Sequence, residues 1–340
     1  MWDVAKYAGV AQSTVSRFLN GTATVSPQIG KRIAEAIQIL DYRPNQVARN
    51  LKKRATNTIA LFVPDITNLF YAELSKGVSE EARRWGLEVI LYDTGYHRSR
   101  EKDYLELALR QQIEGIVIAY NLLDEQIWLR LGKSKIPAVL IDVYPPDDSW
   151  TALVVDNEQG IRLAIDCLRS LGHRQVAYLS EPPYVLPLIL RQREYMRYMR
   201  EQELLVKEKW MLTEKKQLNR VKIGFNLGRK LIENDPIPTA VMTSSDLVAV
   251  GALYAFLSAG LRVPEEISLI GFDDIILSSY LFPSLTTVRQ PKYEMGLRGV
   301  RLLMNLISKP GRSAACFEII EPTLVARNST GPARPVEDGR

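Results

Sequence analysis

The N-terminal segment shows apolar positions at helical spacing, interrupted by a glycine. Residues 3–9, DVAKYAG, place their apolar side chains on one edge and end at Gly9, which predicts a short helix that the glycine breaks. Val15, Phe18 and Leu19 then stand at positions i, i+3 and i+4, which predicts the buried face of a second helix. The pattern therefore predicts two short helices joined by a tight turn.

A third helix is predicted to begin after Ser26, whose side chain can cap it, with Pro27 in the first helical position. Its apolar residues repeat on one side and are Ile29, Ile33, Ile37 and Leu40. Three short helices with a glycine turn between the first two follow the helix-turn-helix plan. A small helical bundle with an arbitrary polar face is the alternative that this pattern leaves open.

The polar residues of the second helix stand opposite its apolar face. They are Gln12, Ser13, Ser16 and Arg17. In a helix-turn-helix unit the second helix enters the major groove of DNA, where its N-terminal residues reach base edges. Gln pairs with adenine, Arg pairs with guanine, and Ser reaches either. These residues are therefore candidate base-reading side chains.

Beyond residue 57 the pattern changes to short continuous apolar runs rich in Val and Ile. Buried strands are predicted at IALFV (59–63), EVILYD (88–93), GIVIAY (115–120), AVLIDV (138–143), QVAYLS (175–180), AVMTSS (240–245) and SLIGFD (268–273). Helical stretches separate them, which is the βαβ rhythm of a parallel sheet covered on both faces. The rhythm restarts after residue 156, so we predict an α/β body of two doubly wound parallel-sheet lobes.

Ligands of open α/β sheets bind beyond the carboxyl ends of the strands, so the cleft between two lobes is the default small-molecule site. Residues near the predicted strand ends are Phe70, Tyr71, Tyr120, Asp142, Arg191, Asp246 and Asp273. Carboxylates and a guanidinium that face one cleft suit a ligand with several hydroxyl groups. Each carboxylate has the alternative role of capping a helix or bridging loops. We favour a cap for Asp246, because SSD precedes a helical run.

Positive charge is concentrated at the N-terminus. The chain has 340 residues, which predicts two or three domains, and a net charge of +5. Its first 56 residues hold nine Lys and Arg against three acidic residues. The basic residues are Lys6, Arg17, Lys31, Arg32, Arg43, Arg49, Lys52, Lys53 and Arg54. This distribution favours a polyanionic partner, with a solvated basic surface as the alternative.

Other classes of protein are disfavoured by what the sequence lacks. There is no charged-then-apolar leader and no apolar run of 18 residues, so we expect a cytoplasmic protein that does not span a membrane. Cys167 and Cys316 are too few for a disulfide framework or a four-ligand zinc site. We find no P-loop, zinc-protease or nucleophile-elbow motif, and therefore expect no cofactor, no metal and no enzyme activity.

A short basic segment, YRPNQVARNLKKRATN (42–57), connects the helices to the lobes. Pro44 restricts the turn that precedes a short helix. Leu51 stands among charged residues with no evident apolar partner. An apolar side chain in that position is suited to wedge between base pairs in a minor groove and kink the duplex.

Several motifs stand in a fixed order along the chain. They are DVAKYAGVAQSTVSRFLNG, VARNLK, NTIALFVPDITNLFYAEL, VDNEQG, SLGHRQVAYL, SDLVAVGAL, GLRVPEEISLIGFDD and LTTVRQP. Together they resemble the LacI/GalR family of ligand-controlled transcription regulators, over residues 3 to about 330. No single motif is specific, whereas the ordered set is.

The resemblance implies which residues contact DNA and the effector. The DNA-contacting positions are Gln12, Ser13 and Arg17 for bases, Thr14, Ser16 and Asn20 for the backbone, Val47, Ala48 and Arg49 in a hinge helix, and Leu51 at the operator centre. The effector-contacting positions are Phe70, Tyr71, Asp142, Arg191 and Asp273. Ser245 stands where sugar-binding members often have Asn. The implied effector is a sugar or sugar derivative.

The resemblance and the patterns together predict the domain organisation. We expect a helix-turn-helix domain (1–43), a hinge and linker (44–57), a two-lobed body (58–330) and a flexible tail (331–340). The lobes are expected to comprise about 58–156 with 287–317, and about 157–286 with 318–330. The tail lacks a leucine heptad, so no tetramerisation helix is expected.

The expected function is that of a homodimeric repressor. It binds a palindromic operator in double-stranded DNA and is controlled by a small molecule in the cleft between the lobes. An activator of the same family is one alternative. A transport-type sugar-binding protein with the same body is a second, which the basic helical segment disfavours.

Overall fold

The computed structural model describes residues 1–20, 25–42, 56–119, 125–183, 185–214, 219–234, 236–309 and 315–335. The chain forms two compact units, Met1–Thr56 and Asn57–Arg340.

The first unit contains the three predicted helices. They are α1 (Trp2–Ala8), α2 (Gln12–Asn20) and α3 (Pro27–Ile39). Their shared core is formed by Val4, Ala5, Ala8, Val15, Ile33 and Ala36. Leu40 was expected on the apolar side of the third helix, but it follows the end of α3 and is 41% exposed. The apolar face of α3 is therefore shorter than the sequence pattern indicated.

The ends of these helices are fixed by the residues that the sequence singled out. Gly9 follows α1 with a φ of 61°, a left-handed conformation that glycine adopts without a steric penalty. The side chain of Ser26 accepts a hydrogen bond from the backbone N–H of Ile29 at 3.4 Å, and Pro27 occupies the first position of α3. Glycine break, cap and proline are all confirmed.

The second unit is built on two six-stranded sheets, which confirms the two doubly wound lobes. The first sheet has the order β11-β5-β4-β3-β1-β2, and its paired strands are all parallel. Its elements are β1 (Thr58–Val63), α4 (Leu69–Arg84), β2 (Glu88–Asp93), α5 (Arg98–Arg110), β3 (Gly115–Ile118), α6 (Glu125–Ser134), β4 (Ala138–Ile141), β5 (Thr151–Val155), α11 (Lys292–Ser308) and β11 (Phe317–Ile320).

The second sheet has the order β12-β10-β9-β8-β6-β7, and its single antiparallel pair joins β10 to β12. Its elements are α7 (Asn157–Ser170), β6 (Val176–Ser180), α8 (Leu186–Glu201), β7 (Met211–Thr213), α9 (Arg220–Ile232), β8 (Ala240–Thr243), α10 (Asp246–Ser258), β9 (Ser268–Asp273), β10 (Thr286–Arg289) and β12 (Thr323–Val325). Short 3₁₀ turns lie at Glu208–Trp210 and Ile276–Ser279.

The central strands of each sheet are buried on both faces, as continuous apolar runs predict, whereas the edge strands β2, β11 and β12 are partly exposed. In β1, Ile59, Leu61 and Val63 face one core of the first lobe, while Ala60 and Phe62 face the other. The second lobe likewise has two cores, one on each side of its sheet.

The chain passes between the lobes three times, after β5, β10 and β11. The expected boundaries at 286/287 and 317/318 differ from these crossings by a few residues. The whole of β10 pairs with β9 in the second sheet, and the whole of β11 pairs with β5 in the first. The boundaries between the lobes therefore lie after β10 and after β11, because each of these strands is hydrogen-bonded to its own sheet along its whole length.

Helix α11 returns to the first lobe and packs closely on α4. A Cβ atom added to Gly77 would lie 2.2 Å from the carbonyl oxygen of Tyr293, and one added to Gly296 would lie 2.3 Å from that of Leu74. The two backbones therefore approach each other at a point where only glycine fits. Among the helices within the described ranges, none is long and apolar enough to cross a lipid bilayer.

Candidate functional site

The first candidate surface is the polar face of α2. Gln12, Ser13 and Arg17 are exposed on this helix, while Val15 on its other side is fully buried. The packing of Val15 against α1 and α3 therefore fixes which side of α2 faces outward. Three neighbouring polar side chains on one turn and a half of a helix can donate and accept hydrogen bonds at base edges.

The structure describes only some of the remaining residues that were predicted to contact DNA. Thr14 and Ser16 are half-buried on α2. The side chain of Asn20, the last residue of α2, lies outside the described part of the structure. So do the four hinge residues, which are Val47, Ala48, Arg49 and Leu51.

The second candidate site is a cleft between the two lobes of the body. It encloses about 420 Å³ of empty space, including its opening to solvent. Its lining residues are Asn68, Phe70, Tyr71, Asp142, Glu181, Val185, Pro187, Leu188, Arg191, Arg220, Ser245, Asp273 and Gln290. The cleft lies beyond the carboxyl ends of β1, β4, β6, β8 and β9, where an open α/β sheet places ligands.

Six of the seven predicted effector-contacting residues line this cleft. They are Phe70, Tyr71, Asp142, Arg191, Ser245 and Asp273. The seventh, Tyr120, lies outside the described residues. Asp142 was expected within the fourth strand, but β4 ends at Ile141 and Asp142 follows it. That position turns the carboxylate toward the cleft.

Two aromatic side chains form the apolar wall of the cleft. The side chain of Asn68 caps α4 by accepting a hydrogen bond from the N–H of Phe70 at 3.0 Å. The rings of Phe70 and Tyr71 then meet edge to face, with 5.0 Å between their centroids. Such a wall suits the apolar face of a ligand.

Arg191 is held rigidly at the base of the cleft. Its Nε donates to Asn157 Oδ1 at 2.6 Å, and its Nη1 donates to the carbonyl oxygen of Ser244 at 2.8 Å. The guanidinium lies over the ring of Phe272, 3.7 Å from its centroid, and Nη1 is 3.8 Å from Asp273 Oδ1. A guanidinium fixed in this way presents directional donors to a ligand.

Asp273 ends β9 in a strained backbone conformation, with a φ of 124°. Its Oδ1 accepts a hydrogen bond from Gln290 Nε2 at 2.7 Å, and its carbonyl oxygen accepts one from Lys292 Nζ at 2.7 Å. Burial raises the pKa of the Asp273 carboxyl, and the nearby Arg191 opposes that rise. Asp273 is therefore anchored to the segment that crosses between the lobes.

Asp142 lines the same cleft from the first lobe. Its backbone is also left-handed, with a φ of 56°. Its Oδ1 atom is buried and has no hydrogen-bond partner among the described residues. Burial raises the pKa of this carboxyl to about 6, and the charge of Arg191 opposes that rise. An unpaired buried acceptor of this kind is costly unless a ligand donates to it.

A third polar group joins the two lobes at the cleft. Arg220, at the start of α9, forms an ion pair with Glu181, with 2.7 Å between Nε and Oε2. Arg220 also donates to the hydroxyl of Tyr96 and lies over that ring, 5.0 Å from its centroid. Ser245 Oγ donates to Glu181 Oε1 at 3.4 Å. Since Tyr96 belongs to the first lobe, this contact bridges the cleft.

Four polar residues of the cleft were not predicted from the sequence. They are Asn68, Glu181, Arg220 and Gln290. Glu181 directly follows β6, so the rule that found Asp142 and Asp273 would also have found it. Arg220 gave no comparable signal, because the helix that it begins does not follow directly on a predicted strand.

Asp246 has a structural role, but it does not cap a helix as the sequence pattern had favoured. Its carboxylate is buried and accepts hydrogen bonds from Ile275 N at 2.9 Å, Ser278 Oγ at 2.6 Å and Thr287 Oγ1 at 2.5 Å. Ser245 occupies the cap position instead, without a side-chain cap bond. Asp246 therefore bridges loops. Within the described ranges, no three His, Cys, Asp or Glu side chains are grouped so that they could hold a metal ion.

Comparison with known proteins assigns both units. Residues 1–45 match the family described as bacterial regulatory proteins, lacI family, and residues 165–330 match the periplasmic binding protein-like domain. Catabolite control protein A of Priestia megaterium is 33% identical over 312 residues, which cover 91% of this chain and 92% of that protein. The repressor PurR of Vibrio cholerae and the ribose operon repressor of Halalkalibacterium halodurans are each 33% identical and cover 96% of both chains.

Solved structures agree with this assignment. The lac repressor dimer bound to operator and the anti-inducer ONPF has a TM-score of 0.86 at 27% identity, and the match covers 97% of this chain and 98% of that chain. The complex of the transcriptional regulator CelR with cellobiose has a TM-score of 0.73 at 27% identity, covering 96% and 98%. Because these relatives are DNA-binding regulators, this chain is a transcription regulator and not an enzyme. It belongs to the lacI family of bacterial regulatory proteins.

Proposed function

We propose that this regulator is a cytoplasmic repressor that binds a two-fold symmetric operator as a homodimer and responds to a carbohydrate in the cleft between its lobes. The observation that carries this proposal is the convergence of Asp142, Arg191 and Asp273 in one cleft of a chain that also exposes the polar face of α2. One unit then reads DNA while the other senses a metabolite.

The operator contacts are assigned to α2. Gln12, Ser13 and Arg17 are exposed on the face opposite the buried Val15, so they are free to reach base edges in a major groove. Thr14, Ser16 and Asn20 are assigned to the DNA backbone. The insertion of Leu51 into a minor groove rests on the sequence alone.

A carbohydrate effector is supported by the chemistry of the cleft. It combines the Phe70–Tyr71 wall with the carboxylates of Asp142 and Asp273 and the rigidly held guanidinium of Arg191, which offer directional hydrogen bonds to hydroxyl groups. Among the relatives, one is named as a ribose operon repressor and another was solved with cellobiose. The contacts of Tyr120 remain a prediction from the sequence.

A homodimer is supported by exposed apolar side chains on the second lobe. Tyr254 and Leu257 lie on α10, and Leu277, Tyr280 and Phe282 follow β9, with Phe282 93% exposed. Large apolar groups exposed in this number favour burial against another chain. The related lac repressor was solved as a dimer on its operator.

Selection of binding sites from random double-stranded oligonucleotides tests the DNA part of the proposal. The full chain should enrich sequences with two inverted half-sites at moderate ionic strength. Arg17→Ala should relax the preference at one base pair of each half-site, by about 1–3 kcal/mol of discrimination, and leave most of the salt dependence unchanged. Measured affinities for operators substituted at single positions give this value.

Lys31→Ala serves as the matched control, because Lys31 is an exposed cation on α3 rather than α2. This variant should keep the base preference of the unmodified chain. Enrichment of no sequence over random competitor would contradict operator binding. An unchanged base preference in Arg17→Ala would contradict the role assigned to α2.

A further inference from the structure

The charges that line the cleft are unequal in number. The charged residues among its described lining are the carboxylates Asp142, Glu181 and Asp273 and the guanidinium groups of Arg191 and Arg220. Acidic groups therefore outnumber basic groups by one. The buried Lys292 is a further cation beside Asp273, since its Nζ donates to the carbonyl oxygen of Asp273 at 2.7 Å and its charge stabilises the Asp273 carboxylate, so Asp142 rather than Asp273 is the unbalanced carboxylate of the cleft.

Two of the three carboxylates have partners within the protein. Glu181 forms an ion pair with Arg220, with 2.7 Å between Oε2 and Nε. Asp273 accepts from Gln290 at 2.7 Å and lies 3.8 Å from the Nη1 atom of Arg191. Asp142 is left as the carboxylate without an anchoring partner among the described residues.

The unsatisfied polar atoms of the cleft are both acceptors. Gln290 is 1% exposed, lines the cleft and has an Oε1 atom without a partner in the described structure. The Oδ1 atom of Asp142 is likewise buried and has no hydrogen-bond partner among the described residues. Buried acceptors of this kind require a donor, and the described side chains of the cleft do not supply one at these two atoms.

The charge state of Asp142 adds to this geometric argument. Its pKa is raised to about 6 by burial, so the carboxyl is ionised at neutral pH and above. Its left-handed backbone, with a φ of 56°, holds it at the end of β4 at a cost in strain. A strained, ionised and unpaired carboxylate in a cleft is complementary to a cation.

We propose that the effector is a polyhydroxyl compound that carries an ammonium group, an amino sugar by chemical class, and that its ammonium donates to Asp142. The inference rests on the effector role proposed above for this cleft. The hydroxyl groups supply donors to Gln290 and accept from Arg191, while Phe70 and Tyr71 cover the apolar face. Phosphorylated and carboxylated sugars are disfavoured at this position, because they would bring an anion to the unpaired carboxylate oxygen of Asp142.

Calorimetric titration of the full chain with matched compounds tests this proposal. The probes are 2-amino-2-deoxyhexoses, the parent hexoses, N-acetylated hexosamines and hexose 6-phosphates. An aminohexose should bind about tenfold more tightly than its parent hexose and its N-acetyl derivative, because a charge-assisted hydrogen bond exceeds a neutral one by about this factor. The hexose phosphates should bind most weakly.

Two variants assign the preference to one carboxylate. Asp142→Asn removes the charge with little change of shape and should abolish the preference for the amine. Asp148→Asn removes an exposed carboxylate from the same connection between β4 and β5 and should retain it. Retention of the amine preference in Asp142→Asn would overturn the assignment.

The remaining outcomes separate this inference from the proposed function. If a neutral hexose binds as tightly as its amine, and Arg191→Ala abolishes that binding, the ammonium proposal is overturned and the effector cleft stands. If no probe binds while the full chain still selects an operator, the ammonium proposal is likewise overturned and the DNA-binding function stands.

Discussion

At the scale of the residue, Asp142 and Asp273 show how the fold places charge in the cleft. Both adopt backbone conformations with positive φ at the ends of strands, 56° and 124°, which cost L-residues energy and point to function. Asp273 is anchored by Gln290, whereas the Oδ1 atom of Asp142 has no partner among the described residues. The difference leaves Asp142 as the carboxylate of the two to which a ligand can donate a hydrogen bond.

Asp142 should make the stability of the body depend on pH. Its pKa is about 6 in the folded chain because burial disfavours the charge, whereas an unfolded Asp titrates near its ordinary value. The folded state therefore binds the proton more tightly, so stability falls as the pH rises from the unfolded pKa to about 6, and then levels off. Arg191 and Tyr144 are the charged and titratable groups that act on it, and Arg191 limits the rise.

Asp142→Asn should remove this dependence. The free energy of unfolding of the variant, relative to the unmodified chain, should increase by up to about 3 kcal/mol between pH 4 and pH 7, which follows from a shift of about two pKa units. Urea unfolding at several pH values measures this difference. Asp148→Asn is the exposed control and should give a flat difference. A flat difference for Asp142→Asn as well would show that the carboxyl is not destabilised by burial.

The residues of the cleft divide into those that the sequence could reveal and those that it could not. Asp142 and Asp273 follow apolar strand runs, so their convergence at the carboxyl ends of parallel strands was predictable. Gln290 and Arg220 reach the cleft through a chain crossing and a helix start. Their positions depend on the packing of two lobes, which local patterns do not encode.

At the scale of the element, the close crossing of α4 and α11 fixes the first lobe. Gly77 and Gly296 allow the two backbones to approach, since a Cβ at Gly296 would lie 2.3 Å from the carbonyl oxygen of Leu74. Because α11 follows directly on the crossing after β10, its position on α4 also determines where that crossing runs.

Gly296→Ala should therefore destabilise the protein by about 1–3 kcal/mol or more, because the backbone that it meets cannot rotate away as a side chain can. Gly132→Ala is the matched control in helix α6, where the added Cβ would lie 3.9 Å from Trp150, an ordinary contact. That variant should be neutral or stabilising by up to about 1 kcal/mol. Equal melting temperatures for the two variants in thermal unfolding would contradict the tight crossing.

Seven of the twelve strands in the described structure were predicted from apolar runs in the sequence. Strands β5, β7 and β11 were not predicted, although β5 is a fully buried run, TALVV. Strands β10 and β12 were not predicted either, because TTVR and TLV carry too little periodic signal. The lobe boundaries were displaced for this reason, since these short strands lie next to the crossings.

At the scale of the whole molecule, the body consists of two sheets joined by three crossings and bridged across the cleft by Arg220 and Tyr96. A ligand that enters the cleft meets side chains from both lobes, so its affinity depends on how the lobes are disposed. By thermodynamic linkage, an effector that changes the affinity for DNA must have its own affinity changed by DNA to the same extent.

Arg191→Ala should abolish the response to effector and leave operator binding intact. Arg191 contacts Asn157 and the Ser244 carbonyl in the second lobe and lies near Asp273, so its loss removes donors from the cleft without touching α2. The variant should bind operator in a fluorescence anisotropy assay and show no response to effector. Arg193→Ala, an exposed position on the same helix α8, should respond normally. A normal response by Arg191→Ala would place the effector elsewhere.

Reciprocal titration tests whether one chain couples a DNA-reading unit to a ligand cleft. The operator affinity is measured without and with saturating effector, and the effector affinity without and with saturating operator. Both affinities should change by the same factor, of about 5–150-fold. An effector that binds the cleft and leaves the operator affinity unchanged would contradict this coupling.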